Sequence, residues 1–238
     1  MVGRALVAVL AHNEEATIAA VIESLQREAH AFDLLVVNDG SRDATAEIVA
    51  RLGVPSARHL CNLGYGRAVQ TAIKYAMRHG YGALITFDAD GQHRAGDVAP
   101  VYRTFVEHDY DLVIGSRFRQ PGHYRSSAWN RRIGMRIFSG IVRALTGQRV
   151  HDTSSGFRVI GQRTFDILTA QPFVDFHAEA VVLLLRHGFK VGEASIVAHE
   201  RVAGSSMYSA ISAVKYPLKT SLLVLLAYLG SGITNRHR

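Results

Sequence analysis

Short apolar runs alternate with amphipathic segments through the first half of this chain. The runs are rich in Val, Ile and Leu without polar alternation, which is typical of strands covered on both faces; they span residues 5–11, 34–38, 83–88 and 112–116. Apolar residues recur at helical spacing in the segments between and after them, over residues 14–29, 43–52, 66–79 and 97–107. The alternation predicts an α/β domain built on a doubly wound, mainly parallel sheet.

Polar motifs begin where the predicted strands end. These motifs are His12-Asn13-Glu14, residues 38–43, residues 88–93 and Ser116-Arg117. Ligands of doubly wound sheets bind beyond the carboxyl ends of the strands. We therefore expect the functional site at this edge of the sheet.

The composition is that of a globular domain rather than a disordered chain or a coiled coil. The 238 residues are 48% hydrophobic and 20% charged. Cys61 is the single cysteine, which excludes an internal disulfide framework and a Cys-rich zinc site and indicates a reducing compartment.

Charge divides the chain into an acidic half and a basic half. The net charge is +7 overall, but it is −4 over residues 1–114 and +11 over residues 115–238. The basic half therefore suits an anionic partner, which is nucleic acid, a phosphate-bearing substrate or an acidic membrane surface. Residues 129–145 predict a helix with Arg132, Arg136 and Arg143 on one face, which suits a solvated surface as well as a membrane or phosphate contact.

Asp88 and Asp90 carry the strongest chemical signal. Two carboxylates one residue apart, on an extended segment just beyond a strand, can both reach one hard divalent cation, with diphosphate oxygens and water completing the shell. Such an ion neutralises the charge of a departing diphosphate. An ordinary turn rich in Asp and Gly has the same residues, but the position at the end of a strand favours the metal.

The second strand end also suits a ligand. Gly40 permits a sharp turn and Asp43 favours the start of the following helix, so Asp39 lies at the sheet edge, where it can accept hydrogen bonds from a base or a ribose. Gly64 and Gly66 allow a close approach of the backbone to a ligand, although they lack the dinucleotide fingerprint spacing.

Six motifs in this order resemble those of family 2 glycosyltransferases of the GT-A fold, and among them the dolichol-phosphate mannose synthase and polyprenyl-phosphate glycosyltransferase group. The motifs are Asn13-Glu14, NDGSRDAT at 38–45, NLGYGRA at 62–68, DADGQH at 88–93, GSRF at 115–118 and SSGFR at 154–158. The resemblance covers residues 5–208. It implies a Rossmann-like GT-A catalytic domain over residues 1–208, a nucleotide-diphospho-sugar transferase, followed by C-terminal amphipathic and apolar membrane-interface helices over residues 209–238.

The resemblance also implies roles for individual residues. It implies a nucleotide-sugar donor and a Mg²⁺ or Mn²⁺ ion held by Asp88, Asp90 and Gln92, with Asp90 also counted as catalytic. The nucleotide pocket is expected to include Asn13, Glu14, Asp39 and Gly64, with Asp39 toward the base. The arginines expected to act on phosphates are Arg117 and one of Arg131 and Arg132 for the acceptor, and Arg201 for the leaving diphosphate. The remaining residues expected to bind substrate are Ser155, Arg158, Glu179 and Ser206.

Two departures from the family pattern stand out. Arg201, Gly204 and Ser206 match the end of the catalytic region, but Met207 stands where the group has Lys, which removes a cation that could contact the diphosphate. Ala11 and His12 replace the usual Pro and Tyr before the first motif.

The residues favour a phosphate acceptor over a hydroxyl acceptor. A hydroxyl needs a general base, whereas a phosphate monoester is already an anion and needs arginines to hold it. Asp152 and Glu179 are the acids near the motifs, and either could still be a base. His177 is more consistent with a structural role than with a metal ligand.

We therefore predict an inverting hexose transfer from a GDP- or UDP-linked sugar to a polyprenyl or dolichyl phosphate. We expect the enzyme in the cytoplasm, on the inner face of a membrane, because residues 222–229 form an apolar run too short to span a bilayer but able to lie on one. The alternatives are transfer to a soluble hydroxyl acceptor and a non-catalytic basic module for nucleic acid or membrane. Zinc-finger spacing and a basic aromatic signature are missing from the sequence, so we expect no nucleic-acid partner.

Overall fold

A computed structural model of the chain describes residues 3–117, 139–171 and 175–197. The described residues form a sheet of seven strands with the order β3-β2-β1-β4-β6-β5-β7. The strands are β1 (Ala5–Ala11), β2 (Asp33–Asn38), β3 (Ser56–Arg58), β4 (Ala83–Asp88), β5 (Leu112–Ser116), β6 (Arg158–Gly161) and β7 (Val191–Ser195). This confirms the predicted α/β class with a mainly parallel sheet.

The register brings the ends of three neighbouring strands level. β1 pairs in parallel with both β2 and β4, and it aligns Leu10 with Asp88 and Ala11 with Asn38. The loops after these strands therefore meet at one edge of the sheet. β6 is the exception to the parallel arrangement, since it runs antiparallel between β4 and β5. It brings the segment that precedes Arg158 to the same edge.

Helices cover both faces of the sheet. They are α1 (Ile18–Glu28), α2 (Thr45–Arg51), α3 (Tyr65–Arg78), α4 (Val98–Glu107), the described part of α5 (139–146), α6 (Phe165–Ala170) and α7 (Ala178–Arg186). Short 3-10 turns, Ala95–Asp97 and Gln162–Thr164, precede α4 and α6. The four predicted strands and the first four predicted helices are all present, whereas β3, β6, β7, α6 and α7 were not predicted.

The core lies on both sides of β1, which explains why this strand has no polar alternation. Leu6 and Leu10 pack on the side of α3 and α7, while Val7 and Val9 pack on the side of α1 and α4. Successive side chains of a strand point to opposite faces, so a strand covered twice is apolar throughout. Because β1 is packed on both faces, it holds the start of the following loop at a fixed place on the sheet edge.

Helix α1 begins later than predicted, at Ile18 instead of residue 14. The main-chain N–H groups of Thr17 and Ile18 both donate to the Glu14 carbonyl, so residues 14–17 form a turn that leads into the helix. This turn leaves Asn13 and Glu14 at the sheet edge rather than inside a helix.

The predicted helices of the C-terminal region are mostly outside the described residues. Of the helix predicted over residues 129–145, only the part from residue 139 onward is described, and it is helical. Residues 209–238 lie outside the described ranges, so their role at a membrane stays a prediction. No helix within the described ranges is long and apolar enough to cross a bilayer.

Candidate functional site

The loops after β1 and β2 are joined by hydrogen bonds. The Asn13 N–H donates to the Ser41 hydroxyl (3.0 Å), and the Asn13 side-chain oxygen accepts from the Arg42 N–H (2.8 Å). The Glu14 N–H donates to the Thr45 hydroxyl (2.9 Å). Asn13 has a φ of 55°, a left-handed conformation that asparagine tolerates better than most residues. The predicted nucleotide-pocket residues Asn13 and Glu14 therefore lie on a rigid double loop.

Asp39 is the centre of a second set of contacts. Its carboxylate accepts hydrogen bonds from the main-chain N–H groups of Leu63 (2.8 Å) and Gly64 (2.9 Å) and from the His59 ring (2.7 Å). Gly40 is needed beside it, because its φ is +66° and a Cβ there would lie 2.6 Å from the Asn62 nitrogen. Asp39 thus ties the end of β2 to the loop that opens α3.

Asp88 lies at the end of β4 with a carboxylate that is partly open to solvent. His93 approaches it, with Nε2 3.4 Å from Oδ2, and the Asp88 side chain is 28% exposed. Burial opposes ionisation of Asp88, but the hydrogen bond and positive charge of His93, helped by more distant cationic groups, hold its pKa below the usual value. The group is therefore a carboxylate at neutral pH.

Gly156 packs directly against the Asp88 carboxylate. A Cβ on Gly156 would lie 2.6 Å from Oδ1 of Asp88 and would also meet Oδ2. The Gly156 carbonyl accepts hydrogen bonds from the Thr86 hydroxyl (2.6 Å) and the Tyr65 hydroxyl (3.2 Å). The loop before β6 therefore forms one wall beside Asp88, and a side chain at residue 156 would displace the Asp88 carboxylate.

Asp90 and Gln92 form a tight turn beyond Asp88. The Gln92 N–H donates to Oδ1 of Asp90 at 3.0 Å, and both residues are partly exposed. Within the described ranges no group of three His, Cys, Asp or Glu side chains is placed to hold a metal ion. The predicted donor set of Asp88, Asp90 and Gln92 is two carboxylates and an amide oxygen, a chemistry that suits a hard cation such as Mg²⁺ or Mn²⁺.

Arg117 and Asp152 form a buried bidentate ion pair at the end of β5. The Arg117 Nε and Nη2 atoms lie 2.8 and 2.9 Å from the two Asp152 oxygens, and Asp152 is completely buried. Glu193 on β7 fixes the Asp152 backbone by accepting its N–H at 2.9 Å. Burial opposes ionisation of Asp152, but the charge and hydrogen bonds of Arg117 hold its pKa below the usual value. Asp152 therefore orients an arginine and is poorly suited to act as a base.

Arg158 is buried and hydrogen-bonded to main-chain carbonyls. Its side chain is 1% exposed and donates to three main-chain carbonyls, those of Ser155 (2.9 Å), Thr153 (2.8 Å) and His177 (3.3 Å). A guanidinium with these partners stabilises the loop, and a contact of Arg158 with substrate stays a prediction. Ser155 is also buried, and its hydroxyl accepts from the Phe157 N–H at 3.3 Å.

Sequence reasoning missed the aromatic wall formed by Tyr65 and His177. The two rings stack with centroids 5.3 Å apart. Burial, reinforced by the charge of Arg158, lowers the pKa of His177 to about 4, so the ring is neutral at neutral pH. Burial also raises the pKa of Tyr65. Neighbouring Phe176 is buried with a φ of 56°, a strained conformation of the kind that clusters at functional sites.

Glu179 is a buried acid in the first turn of α7. It is 3% exposed, and within the described part of the chain neither of its carboxylate oxygens has a hydrogen-bond partner. A buried carboxylate in this state is costly, so residues of this kind are retained where a ligand or a reaction uses them.

The structure brings together most of the predicted site residues, at the edge where β1, β2, β4 and β5 end. Gly64 is also there, at the start of α3 with a φ of 91°. The remaining predicted residues lie outside the described ranges; they are Arg131, Arg132, Arg201 and Ser206.

Comparison with known proteins identifies sequence relatives of this chain. A dolichyl-phosphate N-acetylglucosaminyltransferase from Methanococcus voltae that uses UDP-N-acetylglucosamine is 30% identical over 78% of this chain and 82% of its own. A polyprenol monophosphomannose synthase from Mycolicibacterium smegmatis is 27% identical over 87% of this chain and 81% of its own.

A solved structure shares the fold across almost the whole chain. It is the glucosyl-3-phosphoglycerate synthase of Mycobacterium tuberculosis with Mn²⁺ and UDP-glucose, which superimposes with a TM-score of 0.68 at 18% identity and covers 96% of this chain and 79% of that protein. The fold is thus that of the GT-A glycosyltransferases, as predicted.

The family model described as glycosyl transferase family 2 matches residues 6–167. This range contains the loops after β1, β2, β4 and β5 and the Gly156 loop, which together build the site. The chain therefore belongs to glycosyl transferase family 2 and is a glycosyltransferase.

Proposed function

We propose that this glycosyltransferase moves a hexose from a nucleotide sugar to a polyprenyl phosphate, with inversion at the anomeric carbon and with the help of a divalent metal ion. The observation that carries the proposal is the Arg117–Asp152 ion pair. It occupies Asp152, one of the two acids that could have served as a base, and it orients an arginine at the edge of the sheet. The names of the two sequence relatives support the same acceptor class. One is a dolichyl-phosphate N-acetylglucosaminyltransferase, and the other is a polyprenol monophosphomannose synthase.

The proposed binding site for the donor lies at the end of β4. Asp88 and Asp90, with Gln92, would hold Mg²⁺ or Mn²⁺, and the ion would supply positive charge to the diphosphate of the donor. The low pKa of Asp88 keeps that carboxylate ionised for this role at neutral pH. Gly156 packs directly against the Asp88 carboxylate, so the loop before β6 limits where that carboxylate can lie.

The proposed binding site for the acceptor phosphate lies at the end of β5. Asp152 fixes the plane of the Arg117 guanidinium through Nε and Nη2, and Nη2 also donates to the Ser154 hydroxyl at 2.9 Å. These contacts fix the direction of the Nη1 group. A planar guanidinium matches phosphate oxygens, and a preorganised one loses little entropy on binding. Arg131 or Arg132 would be the second arginine of this subsite.

The transfer needs no proton acceptor in this scheme. A phosphate oxygen of the acceptor forms the new bond to the anomeric carbon while the bond from that carbon to the donor diphosphate breaks, and the electron pair leaves with the nucleoside diphosphate. Arg117 would hold the attacking phosphate in line with the anomeric carbon. This positioning lowers the barrier of a reaction in which two anions must approach each other. Arg201 would stabilise the leaving diphosphate by its positive charge.

We place the reaction at the cytoplasmic face of a membrane, because the acceptor is a lipid. Residues 209–238 and the arginine face of the helix predicted over residues 129–145 would hold the protein there as a peripheral protein. Nucleic acid is not among the proposed partners.

Glu179 favours a second candidate function, which is transfer to a hydroxyl acceptor. Its carboxylate is buried without a hydrogen-bond partner within the described ranges, and such a group could accept the proton of an attacking hydroxyl. The second candidate therefore makes Glu179 the base and leaves Arg117 without a direct role.

One experiment separates the two. The purified protein is incubated with Mn²⁺, radiolabelled UDP- and GDP-sugars, and either a polyprenyl phosphate or the matching polyprenol, which differs only in the phosphate. We expect label to enter only the phosphate acceptor. Label in the polyprenol that disappears with Glu179→Gln would overturn the phosphate proposal in favour of the second candidate.

A further inference from the structure

Asp39 lies where a nucleoside would end if its diphosphate bound at Asp88. β2 and β4 are both neighbours of β1, so their ends are separated by two strand spacings, or about 10 Å. A ribose and a base extending from the diphosphate cross this distance over the end of β1. This inference rests on the proposed function, since it takes the donor to be a nucleotide sugar.

The hydrogen bonds to Asp39 leave room for one more donor. Oδ1 accepts from the Leu63 N–H and from the His59 ring, while Oδ2 accepts from the Gly64 N–H. A carboxylate has about four acceptor positions, two on each oxygen. The remaining position lies on Oδ2, and the side chain retains 7% exposure through which a ligand can reach it.

The hydrogen bond between the His59 ring and the Asp39 carboxylate is fixed by its surroundings. Because a carboxylate can only accept, the His59 Nδ1 atom carries the proton of the 2.7 Å hydrogen bond. Its Nε2 atom lies 2.8 Å from the Thr71 hydroxyl on α3, which fixes the ring from the other side. The His59 side chain is 10% exposed, so water competes little for this contact.

The bases differ in the number of donors that they present to such a carboxylate. Uracil presents one N–H, at N3, between two carbonyl oxygens. Guanine presents two adjacent donors, N1–H and the N2 amino group, which pair with both oxygens of an open carboxylate. Cytosine presents a lone pair at N3, which the carboxylate repels, beside a single donor, the N4 amino group.

We propose that His59 is a specificity-determining residue that, by occupying Oδ1 of Asp39, selects uridine nucleotides as donors. Guanine would leave one donor unpaired in a buried site. Cytosine could donate only from its N4 amino group, which would bring its N3 lone pair close to the carboxylate. An unsatisfied buried polar group of this kind lowers affinity by about 10- to 100-fold.

The test is the affinity of the full chain for UDP, CDP and GDP in the presence of Mn²⁺, measured by titration calorimetry. We expect UDP to bind about 10-fold or more tightly than either of the others. CDP is the control for ring size, because it has the same ring as UDP and differs only at the hydrogen-bonding edge. Equal binding of UDP and CDP, or GDP binding as tightly as UDP, overturns the inference while the nucleotide-sugar donor stands.

A pair of variants then tests the role of His59 itself. Asn places its Nδ2 donor where His has Nδ1, and Leu has the shape of Asn without the donor. We expect His59→Asn to keep the preference for UDP over GDP and His59→Leu to lose most of it, chiefly through tighter GDP binding, with melting temperatures reporting whether both variants fold. An unchanged preference in a folded His59→Leu variant overturns the assignment to His59. If none of the three diphosphates binds, the proposed donor class fails and this inference fails with it.

Discussion

Replacing Gly156 with alanine places a methyl group against the carboxylate of Asp88. The added Cβ would lie 2.6 Å from Oδ1 and 2.7 Å from Cγ of Asp88. Non-bonded carbon atoms reach their best separation at about 3.5–4.0 Å, so one of the two groups has to move by about 1 Å.

The backbone of Gly156 is the less movable partner. Its carbonyl accepts hydrogen bonds from the Thr86 and Tyr65 hydroxyls, and both donors are fixed by packing on the sheet edge. We therefore expect Asp88 to turn away and to lose its contact with His93. Overpacking of this size costs about 1–3 kcal/mol of stability. A displacement of about 1 Å at a reacting group lowers turnover by about 100-fold.

The assay is the rate of sugar transfer at saturating donor, measured across a Mn²⁺ titration, together with a melting curve. Gly156→Ala should reduce the rate by about 100-fold and raise the Mn²⁺ concentration needed for half-maximal rate. The melting temperature should fall by about 2–4 °C for each kcal/mol of lost stability. Gly3→Ala is the matched control, because its added Cβ makes an ordinary 3.5 Å contact with the Gly82 nitrogen.

The result that would refute this reasoning is a Gly156→Ala protein with the wild-type rate and the wild-type Mn²⁺ midpoint. It would mean that the Asp88 carboxylate can move without consequence and that its position is not set by the loop before β6. A large loss of stability in the Gly3→Ala control would show instead that any added methyl group harms this fold.

Three further perturbations test other parts of the site. Asp90→Asn should keep the fold and reduce the rate of sugar transfer by orders of magnitude, since it removes one negative charge that binds the metal ion. Full activity of this variant, or of the wild type in excess EDTA, contradicts a metal site. The pKa of Asp152 is lowered in the folded state, so its stabilising effect is present above its unfolded pKa of about 3.9 and is lost as the pH falls through the folded value. The difference in unfolding free energy between wild type and Asp152→Asn, from urea denaturation, should therefore shrink on going from about pH 6 to about pH 3; a constant difference contradicts the ion pair. Deleting residues 218–238 should release the protein from anionic liposomes in a sedimentation assay while sparing donor hydrolysis, and a full-length protein that stays in the supernatant at low salt removes the interfacial role.

The sequence alone determined the central part of the sheet and the edge that carries the site. β1, β4 and β5 have the predicted bounds, because strands covered on both faces need unbroken apolar runs, and such runs are distinctive in a sequence. Asp88 is the last residue of one of these runs, and Asn13 lies two residues beyond the end of another. Their placement at one edge is a consequence of parallel pairing, which the alternation of strands and helices already required.

Tertiary structure alone decided which distant residues meet. β6 has four residues and begins with a buried arginine, so no apolar period marks it, yet its antiparallel insertion beside β4 brings Gly156 against Asp88. Arg117 and Asp152 are 35 residues apart, and Asp39 and His59 are 20 residues apart. Periodicity reports which side of an element is buried, but it carries no information on the partner across a loop. The pairing of Asp39 with His59, and of Arg117 with Asp152, depends on how the loops close over the sheet edge, and that is fixed only when the whole core has packed.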